Sequence, residues 1–236
     1  MNKINQAMIF AAGFGKRMLP ITKEIPKPLV KVRGKSIISY QIKELIKLKF
    51  QNIVVNCHHL PEQIYKELDS FSSKVKIIFE KEILDTGGGI LNAINLKYFN
   101  GFNNPIVLIN GDTLWKTKEE SPIQNAINNW DKKEMDLLLC LKEKDSFFGY
   151  IGEGDFSLHK ISLKASRIKF CTNNDFVFTG IQILNPKIIK NLEKKKFSMR
   201  DIFFSKTNKR IFGILDKSEW FHISNPRDLK KINEIY

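Results

Sequence analysis

The 236-residue sequence has little that would mark a secreted, membrane-bound or disulfide-stabilised protein. Its three cysteines, Cys57, Cys140 and Cys171, are odd in number and widely spaced, which argues against a disulfide framework and against a paired-cysteine metal site. No apolar run approaches the roughly 18 residues of a membrane helix, and the amino terminus lacks the pattern of a cleavable signal. We therefore expect a protein of the reducing cytoplasm with no membrane partner.

Acidic residues are outnumbered by basic ones, 25 against 39, which gives a formal net charge of +14. Such a charge is compatible with a nucleic-acid surface, with a lysine-rich background composition, or with a positive field that attracts small anionic substrates. The lysines are spread along the chain, and no basic helix is interleaved with aromatic residues. We therefore expect no nucleic-acid partner.

Linkers, repeats and low-complexity tracts are also lacking, so the whole chain, 1–236, is expected to form one domain. Apolar runs alternate with amphipathic segments in its first half, and this alternation predicts an α/β fold with a mostly parallel sheet and flanking helices. Beyond Trp130 the strand-like runs are shorter and predict a small antiparallel addition. Strands are predicted at 8–12, 52–56, 75–80, 106–109, 137–141, 147–151 and 176–184, and helices at 36–49, at 61–68 and after Gly89.

A glycine-rich turn follows the first predicted strand. Gly13 and Gly15 allow the backbone to turn sharply and to bring N–H groups close to an anion, and the guanidinium of Arg17 suits phosphate oxygens. Met18 stands where a dinucleotide-binding loop needs a small residue, and no Gly-Lys-Ser/Thr follows, so neither that fingerprint nor the P-loop fits. Lys27 lies between two prolines that restrict the backbone. These features together indicate a site for a highly anionic ligand such as a triphosphate.

The segment AAGFGKRMLPITKEIPKPL, residues 11–29, resembles the signature of the sugar nucleotidyltransferase superfamily, whose pattern is A-A-G-x-G-x-R, then P-x-T, then P-K-P. The resemblance continues through LDTGGGI, LINGD, FTGIQIL and a Trp-x-His segment near the C-terminus. It implies a Rossmann-like (GT-A-like) fold in which 1–130 bind the nucleotide and 131–236 form the sugar-binding and C-terminal part. It also implies that a nucleoside triphosphate (NTP) and a sugar 1-phosphate react to an NDP-sugar and pyrophosphate.

The resemblance implies a role for each matching residue. Arg17 would hold the β and γ phosphates, Lys27 would neutralise the α-phosphate and the incoming sugar phosphate, and Asp112 would bind Mg²⁺ through its carboxylate. Glycines between a strand and a helix, in the TGGG segment, would let the base lie close to the backbone. Further nucleotide contacts are implied for Ala11, Ala12, Gly13, Gly15, Thr86, Gly87 and Asn110, and sugar contacts for Asn110, Asp155, Thr179 and Gly180.

His222 is a departure from the family pattern, because many relatives have a second metal-binding Asp at this place. Imidazole is a softer ligand than carboxylate and matches Mn²⁺ better than Mg²⁺. Three interpretations remain open. His222 binds the metal; or it contacts phosphate while Asp112, the triphosphate and water hold the metal; or it is a half-buried structural residue.

Among members of the superfamily, the chain most resembles the short bacterial N-acetylmuramate α-1-phosphate uridylyltransferases of peptidoglycan recycling, in length and in its TGGG and NGD elements. UTP with N-acetylmuramate α-1-phosphate is therefore the predicted substrate pair. GTP with mannose or heptose 1-phosphate is the alternative, and a catalytically silent nucleotide-sugar-binding regulator is a third interpretation. The sequence does not reveal which residue would bind the lactyl carboxylate of N-acetylmuramate. Larger relatives add a C-terminal left-handed helix for which this chain has no room, so we expect a monomer or simple dimer.

Overall fold

The computed structural model describes residues 4–162, 164–172, 174–205 and 209–236. The helices, in chain order, are α1 (Ile21–Glu24), α2 (Ile37–Lys47), α3 (Pro61–Leu68), α4 (Asp85–Asn95), α5 (Pro122–Asn129), α6 (Met199–Phe203) and α7 (Pro226–Ile235). The strands are β1 (Gln6–Ala11), β2 (Lys31–Val32), β3 (Lys35–Ser36), β4 (Asn52–Cys57), β5 (Val75–Phe79), β6 (Ile106–Asn110), β7 (Thr113–Lys116), β8 (Leu137–Glu143), β9 (Phe147–Phe148), β10 (Ser157–Leu158), β11 (Ser166–Lys169), β12 (Phe176–Leu184), β13 (Ile211–Leu215) and β14 (Glu219–His222).

Over the described ranges, nine of these strands form the central sheet in the order β10-β11-β13-β8-β12-β6-β1-β4-β5. The block β6-β1-β4-β5 is parallel throughout, whereas β12 runs antiparallel to both of its neighbours, β6 and β8. The predicted α/β fold, with a parallel part and an antiparallel addition, is confirmed. Within the described residues, no helix has the length and hydropathy needed to cross a bilayer.

The parallel strands are apolar on both sides, as expected for strands covered by helices on each face. Along β1, Met8 packs into one core cluster and Ile9 into the other, because successive side chains of a strand point to opposite faces. The same alternation occurs at Leu108 and Ile109 of β6. Helix α2 covers the Ile9 face, and α4 covers the Met8 face. The two cores fix the sheet between layers of helices, so the strand ends lie in a defined row.

Helix α2 begins where the sequence predicts. The hydroxyl of Ser36 accepts a hydrogen bond from the Ser39 amide at 3.2 Å, which satisfies one of the free donors at the helix start. The helix ends at Lys47, two residues before the predicted end, because Lys49 adopts a left-handed conformation with φ of 63°. Gln41 lies on the buried face of this helix, and its side-chain amide donates hydrogen bonds to the backbone carbonyls of Asn110 and Thr113, on either side of Asp112.

Helix α4 begins earlier than the sequence predicts, since Asp85 and not a residue after Gly89 opens it. The glycines therefore lie within the first turns of the helix. The amides of Gly87 and Gly88 both donate to the carbonyl of Phe197, at 2.9 and 3.0 Å. A remote segment of the chain thus supplies the acceptor for the amino-terminal end of the helix.

A small three-stranded sheet, β7-β14-β9, lies beside the carboxyl end of β6. Strand β14 runs antiparallel to β7, with His222 paired opposite Thr113. The chain therefore brings His222 next to the residue that follows Asp112. Helix α7 closes this region, with Ile232 packed among the residues of a third core cluster that includes Phe221.

Candidate active site

Two cavities open at the carboxyl ends of the parallel strands. The loop cavity, of about 400 Å³, is bounded by the glycine-rich turn after β1 and by the start of α4. The β12 cavity, of about 370 Å³, is bounded by β12, α6 and β14. Both are lined by Arg17, Thr86, Asn110 and Asp112, so the two cavities meet at a common boundary. Each has the size of a small-ligand site.

The predicted site residues divide between these cavities, and Gly87 alone lines neither of them. Its amide donates to Phe197, and a Cβ at this position would lie 2.2 Å from the Phe197 ring. The loop cavity is lined by Ala11, Ala12, Gly13, Gly15, Arg17, Lys27, Thr86, Asn110 and Asp112. The β12 cavity is lined by Arg17, Thr86, Asn110, Asp112, Asp155, Thr179, Gly180 and His222.

The glycine-rich turn is held in place by its own hydrogen bonds. Gly15 has a φ of 62°, and its carbonyl accepts from the Met18 amide at 2.8 Å and from the Thr22 hydroxyl at 2.9 Å. A Cβ here would lie 2.9 Å from the Thr22 side chain and 3.0 Å from that of Lys27, so both the backbone angle and the space require glycine. At the start of the turn, the Ala11 amide donates to the Asn56 side chain at 2.9 Å.

Lys27 and Asp112 form an ion pair at the boundary of the two cavities, with Lys27 Nζ donating to Asp112 Oδ2 at 2.6 Å. The lysine side chain is buried, but 37% of the Asp112 side chain is exposed to the cavities. Burial acts to raise the pKa of Asp112, but the charge and hydrogen bond of Lys27, helped by His222, outweigh it and hold the pKa below its ordinary value. The carboxylate is therefore ionised and accessible to a cation.

His222 is half-buried on the β12 side of this ion pair. Burial lowers its pKa, and the positive charge of Lys27 lowers it further, whereas Asp112 acts in the opposite direction. The ring centroids of Phe147 and Tyr150 lie 6.0 and 6.2 Å from the imidazole, in edge-on arrangements. The imidazole is therefore neutral near pH 7, and it retains one nitrogen that can accept a proton or bind a metal.

The described residues hold no group of three or more His, Cys, Asp or Glu side chains arranged to bind a metal. This is compatible with Mg²⁺, which is commonly held by one or two carboxylates, with water and substrate phosphates completing its shell. Asp112, ionised and accessible, fits that pattern. His222 lines the β12 cavity together with Asp112 and is a candidate for a second protein ligand.

The β12 cavity, and not the loop cavity, is lined by the carboxylate residue Asp155. Its Oδ2 accepts from the Phe178 amide at 3.0 Å, and its Oδ1 accepts from Nη1 of Arg200 at 3.3 Å. The Thr179 hydroxyl is committed elsewhere, since it donates to the Cys140 carbonyl at 2.9 Å. Two roles follow from this arrangement: Asp155 can accept hydrogen bonds from a ligand, and Thr179 can contribute through its backbone.

Gly180 lies where the pairing of β12 with β8 is irregular, between Phe178 and Gln182. Its φ is 92°, and a Cβ would lie 2.2 Å from Thr113 Oγ1. Glycine therefore allows β12 to approach the residue that follows Asp112. This close approach forms one wall of the β12 cavity.

Sequence reasoning missed several residues of the site. Glu80, at the end of the predicted third strand, accepts from Asn56 Nδ2 at 2.7 Å and from the Leu84 amide at 3.2 Å, and burial raises its pKa. Because Asn56 also holds Ala11, Glu80 steadies the glycine-rich turn. The position of both residues at carboxyl ends of parallel strands is a signal that could have identified them.

Two further residues of the β12 cavity had no signal in the sequence. Gln182 is buried, and its side-chain oxygen Oε1 has no hydrogen-bond partner among the described residues. Arg200 reaches the cavity from α6, where it pairs with Asp155. Each acquires its place from contacts between distant parts of the chain.

Comparison with known proteins gives a consistent result. The family model for nucleotidyl transferases matches residues 6–235. An N-acetylmuramate α-1-phosphate uridylyltransferase of Caulobacter vibrioides is 27% identical over 231 residues, covering 94% of this chain and 92% of that protein. The enzyme of the same name from Neisseria meningitidis is 32% identical over 192 residues, covering 80% and 78%. A probable mannose-1-phosphate guanylyltransferase of Oryza sativa is 27% identical, and the chain spans 62% of its length.

Solved structures show the same fold. HddC from Yersinia pseudotuberculosis, in complex with GMP-PN, superposes with a TM-score of 0.75 at 25% identity, over 98% of this chain and 99% of that one. A UDP-glucose pyrophosphorylase in complex with UDP-glucose superposes with a TM-score of 0.76 at 18% identity, over 99% and 98%, and this likeness concerns the fold alone.

Proposed function

Because the chain belongs to the nucleotidyl transferase family and is a sugar-1-phosphate nucleotidyltransferase, we propose that it joins UTP to N-acetylmuramate α-1-phosphate. The predicted superfamily and enzyme class are confirmed. The choice of substrates is supported by the two bacterial relatives with that name, which the chain matches over most of their own length. A place in peptidoglycan recycling, in the cytoplasm, is part of this proposal.

The observation that carries the proposal is the meeting of two cavities at Arg17 and Asp112. A nucleotidyl transfer needs one site for the triphosphate and one for the sugar phosphate, with the reacting phosphates between them. In our proposal the nucleotide occupies the loop cavity and the sugar occupies the β12 cavity. The shared boundary then holds the α-phosphorus and the attacking oxygen.

The reaction at that boundary is an in-line displacement. An oxygen of the sugar phosphate attacks the α-phosphorus, the bond to the β-phosphate oxygen breaks, and pyrophosphate leaves. The attacking phosphate is already ionised, so no side chain has to remove a proton. Two anions must approach each other, and catalysis therefore depends on positioning and on neutralisation of charge.

Two basic residues perform that neutralisation in our proposal. Lys27 is buried and held by Asp112, so its ammonium is already ordered where the α-phosphate and sugar phosphate would meet. Arg17 follows the glycine-rich turn and lines both cavities, so it can hold the β and γ phosphates and stabilise the departing pyrophosphate. The backbone of the turn, fixed by Asn56 and Thr22, lies against the phosphates.

We further propose that Mg²⁺ is the cofactor and that Asp112 holds it, with Mn²⁺ as a possible substitute. When bound, the cation would offset the negative charge of the triphosphate. His222, neutral and beside Asp112, would either complete the ligand set or donate a hydrogen bond to phosphate.

A second candidate substrate pair is GTP with mannose or heptose 1-phosphate. It is favoured by the similarity to HddC, solved with GMP-PN, and to the mannose-1-phosphate guanylyltransferases. A silent regulator on the same fold is less well supported, because Arg17, Lys27 and Asp112 all line the loop cavity.

The test is a matrix of pyrophosphate-release assays with Mg²⁺, crossing UTP, GTP, CTP, ATP and dTTP with the α-1-phosphates of N-acetylmuramate, N-acetylglucosamine, glucose, mannose and a heptose. We expect the highest kcat/KM for UTP with N-acetylmuramate α-1-phosphate. A higher value for GTP with mannose or heptose 1-phosphate would replace the proposed pair. Silence with both Mg²⁺ and Mn²⁺, in folded protein that still binds nucleotide by calorimetry, would favour the regulator.

A further inference from the structure

The geometry points to Arg200 as a carboxylate-binding residue of the sugar site, which takes the lactyl carboxylate of the substrate. The inference rests on the proposed function, and it makes that function more specific. It concerns residues that line the β12 cavity and not the loop cavity.

The distribution of positive charge in the β12 cavity distinguishes Arg200. The basic residues among its described lining are Arg17, Arg200 and His222. Arg17 belongs to the boundary with the loop cavity, and His222 is paired opposite Thr113, next to Asp112 at that boundary. Arg200 lines the β12 cavity but not the loop cavity, so it supplies a permanent positive charge on the sugar side.

The guanidinium of Arg200 is available to a ligand. Its side chain is 63% exposed, and within the described part of the chain its polar partner is Asp155 Oδ1, at 3.3 Å from Nη1. A guanidinium has five N–H donors in a planar fork, so donors remain after this bond is made. Those donors can form charge-assisted hydrogen bonds with a second carboxylate.

The guanidinium is also held in place before any ligand binds. It lies over the ring of Phe204, at 5.3 Å from the ring centroid. Its partner Asp155 is itself fixed by the Phe178 amide. At the start of α6, the Met199 amide donates to Thr86 Oγ1 at 2.9 Å, which ties the helix to the cavity boundary. These contacts reduce the conformational entropy that Arg200 would lose on binding a ligand.

The chemistry of the ligand follows from the pairing of an acid and a base. N-acetylmuramate is N-acetylglucosamine with a lactyl ether on the 3-oxygen, so a carboxylate lies beside the ring hydroxyls. Asp155 alone would accept hydrogen bonds from the ring hydroxyls but would repel that carboxylate. Arg200 beside Asp155 lets one small region bind both. The pair therefore selects an acidic sugar over its neutral parent.

The experiment compares wild type with Arg200→Ala and Arg200→Lys on two substrates that differ only by the lactyl group, the α-1-phosphates of N-acetylmuramate and N-acetylglucosamine. In Arg200→Ala we expect kcat/KM for the lactyl sugar to fall by about 10- to 100-fold, mainly through KM, because a charge-assisted contact remote from the reacting atoms is lost. Affinity for the neutral sugar phosphate, measured as substrate or competitive inhibitor, should change by less than about threefold. Arg200→Lys should recover part of the loss.

Arg227→Ala is the matched control, because Arg227 is exposed on α7 and lines neither cavity. An equal fall on both sugars in Arg200→Ala, or no fall on the lactyl sugar, would overturn the assignment. Failure of the proposed function is a separate result, namely wild type that does not turn over the lactyl sugar phosphate. In that case the two sugar phosphates are compared as inhibitors of the reaction that the enzyme does perform. A preference for the lactyl sugar that disappears in Arg200→Ala would sustain the assignment, and no preference would overturn it.

Discussion

The ion pair between Lys27 and Asp112 is best explained by the chemistry of the site and not by stability. A largely buried lysine loses hydration, and its attraction to a partner carboxylate offsets that free-energy cost only in part. Hydrophobic residues in the same space would stabilise the fold at least as well. The pair does, however, deliver one cation and one anion in fixed positions at the boundary of the two cavities. A transfer between phosphates requires both.

Replacement Asp112→Asn should lower kcat by at least about 10²–10³-fold, because the proposed metal would lose its charged ligand and Lys27 would lose its ion-pair partner. Pyrophosphate release at saturating substrate measures the loss, and circular dichroism shows whether the fold is kept. The control is Asp145→Asn, an exposed aspartate outside both cavities. Activity close to wild type in Asp112→Asn would remove this residue from the metal site.

Replacement His222→Asp tests whether this residue binds the metal, as opposed to contacting phosphate or serving a structural role. A carboxylate is a harder ligand than imidazole, so if position 222 faces the metal, less Mg²⁺ should be needed for half-maximal activity. Titration of activity with Mg²⁺ and with Mn²⁺ measures the change. An unaltered Mg²⁺ requirement would argue against metal binding by this residue and leave phosphate contact or a structural role, the latter in keeping with the aromatic rings packed around the imidazole.

At the scale of elements, the start of α4 is built jointly with the segment that precedes α6. The carbonyl of Phe197 accepts hydrogen bonds from the amides of both Gly87 and Gly88. A Cβ at Gly88 would lie only 2.2 Å from the carbonyl oxygen of Lys195. The glycines therefore make room for the chain itself. This contact carries α6, and with it Arg200, to the cavity.

Replacement Gly88→Ala should destabilise the protein by about 1–3 kcal/mol, because the new methyl group would overlap a backbone carbonyl that cannot move freely. Denaturant unfolding followed by fluorescence measures the effect. Gly13→Ala is the comparison, since a Cβ at Gly13 meets no atom within 4 Å and its φ is not left-handed. Equal midpoints for the two variants would contradict the packing described for α4.

At the scale of the whole molecule, one sheet contains strands from both halves of the chain. Strand β12 pairs with β6 on one side and with β8 on the other, so it joins the parallel block to the antiparallel part. Charged contacts stabilise the antiparallel part of the sheet. Asp136, just before β8, accepts from the backbone amide of Arg210 at 2.9 Å and from its Nη2 at 3.0 Å, and Arg210 lies just before β13.

The Asp136 contact makes stability depend on pH. Burial acts to raise the pKa of Asp136, but the hydrogen bonds and charge of Arg210 lower it below its ordinary value near 4. The stabilisation is thus fully present above about pH 4 and is lost as the pH falls through the lowered pKa. Asp136→Asn should lower the urea midpoint at pH 7, and the difference from wild type should shrink below pH 4. A difference that does not vary with pH would refute the charge-based explanation.

Local signals in the sequence determined much of the fold and part of the site. The glycine-rich turn, the Ser36 cap of α2 and the apolar run of β12 are where they are expected, because each depends on residues close together in the chain. The same local signals indicated Arg17 and Lys27, since a phosphate site at a strand end needs basic side chains near a glycine-rich turn. Asp112 was indicated by the resemblance to the sugar nucleotidyltransferase superfamily.

Tertiary structure alone decided the remainder. The true start of α4 depends on the Phe197 carbonyl, which no pattern near the glycines reveals. The lowered pKa of His222 arises from burial and from Lys27, which approaches it only when β14 pairs with β7. Arg200 acquires a role because α6 brings it to Asp155, 45 residues away in the chain. In each case the outcome depends on a hydrogen bond or a charge interaction between segments that are distant in the chain. Local sequence patterns do not encode such interactions.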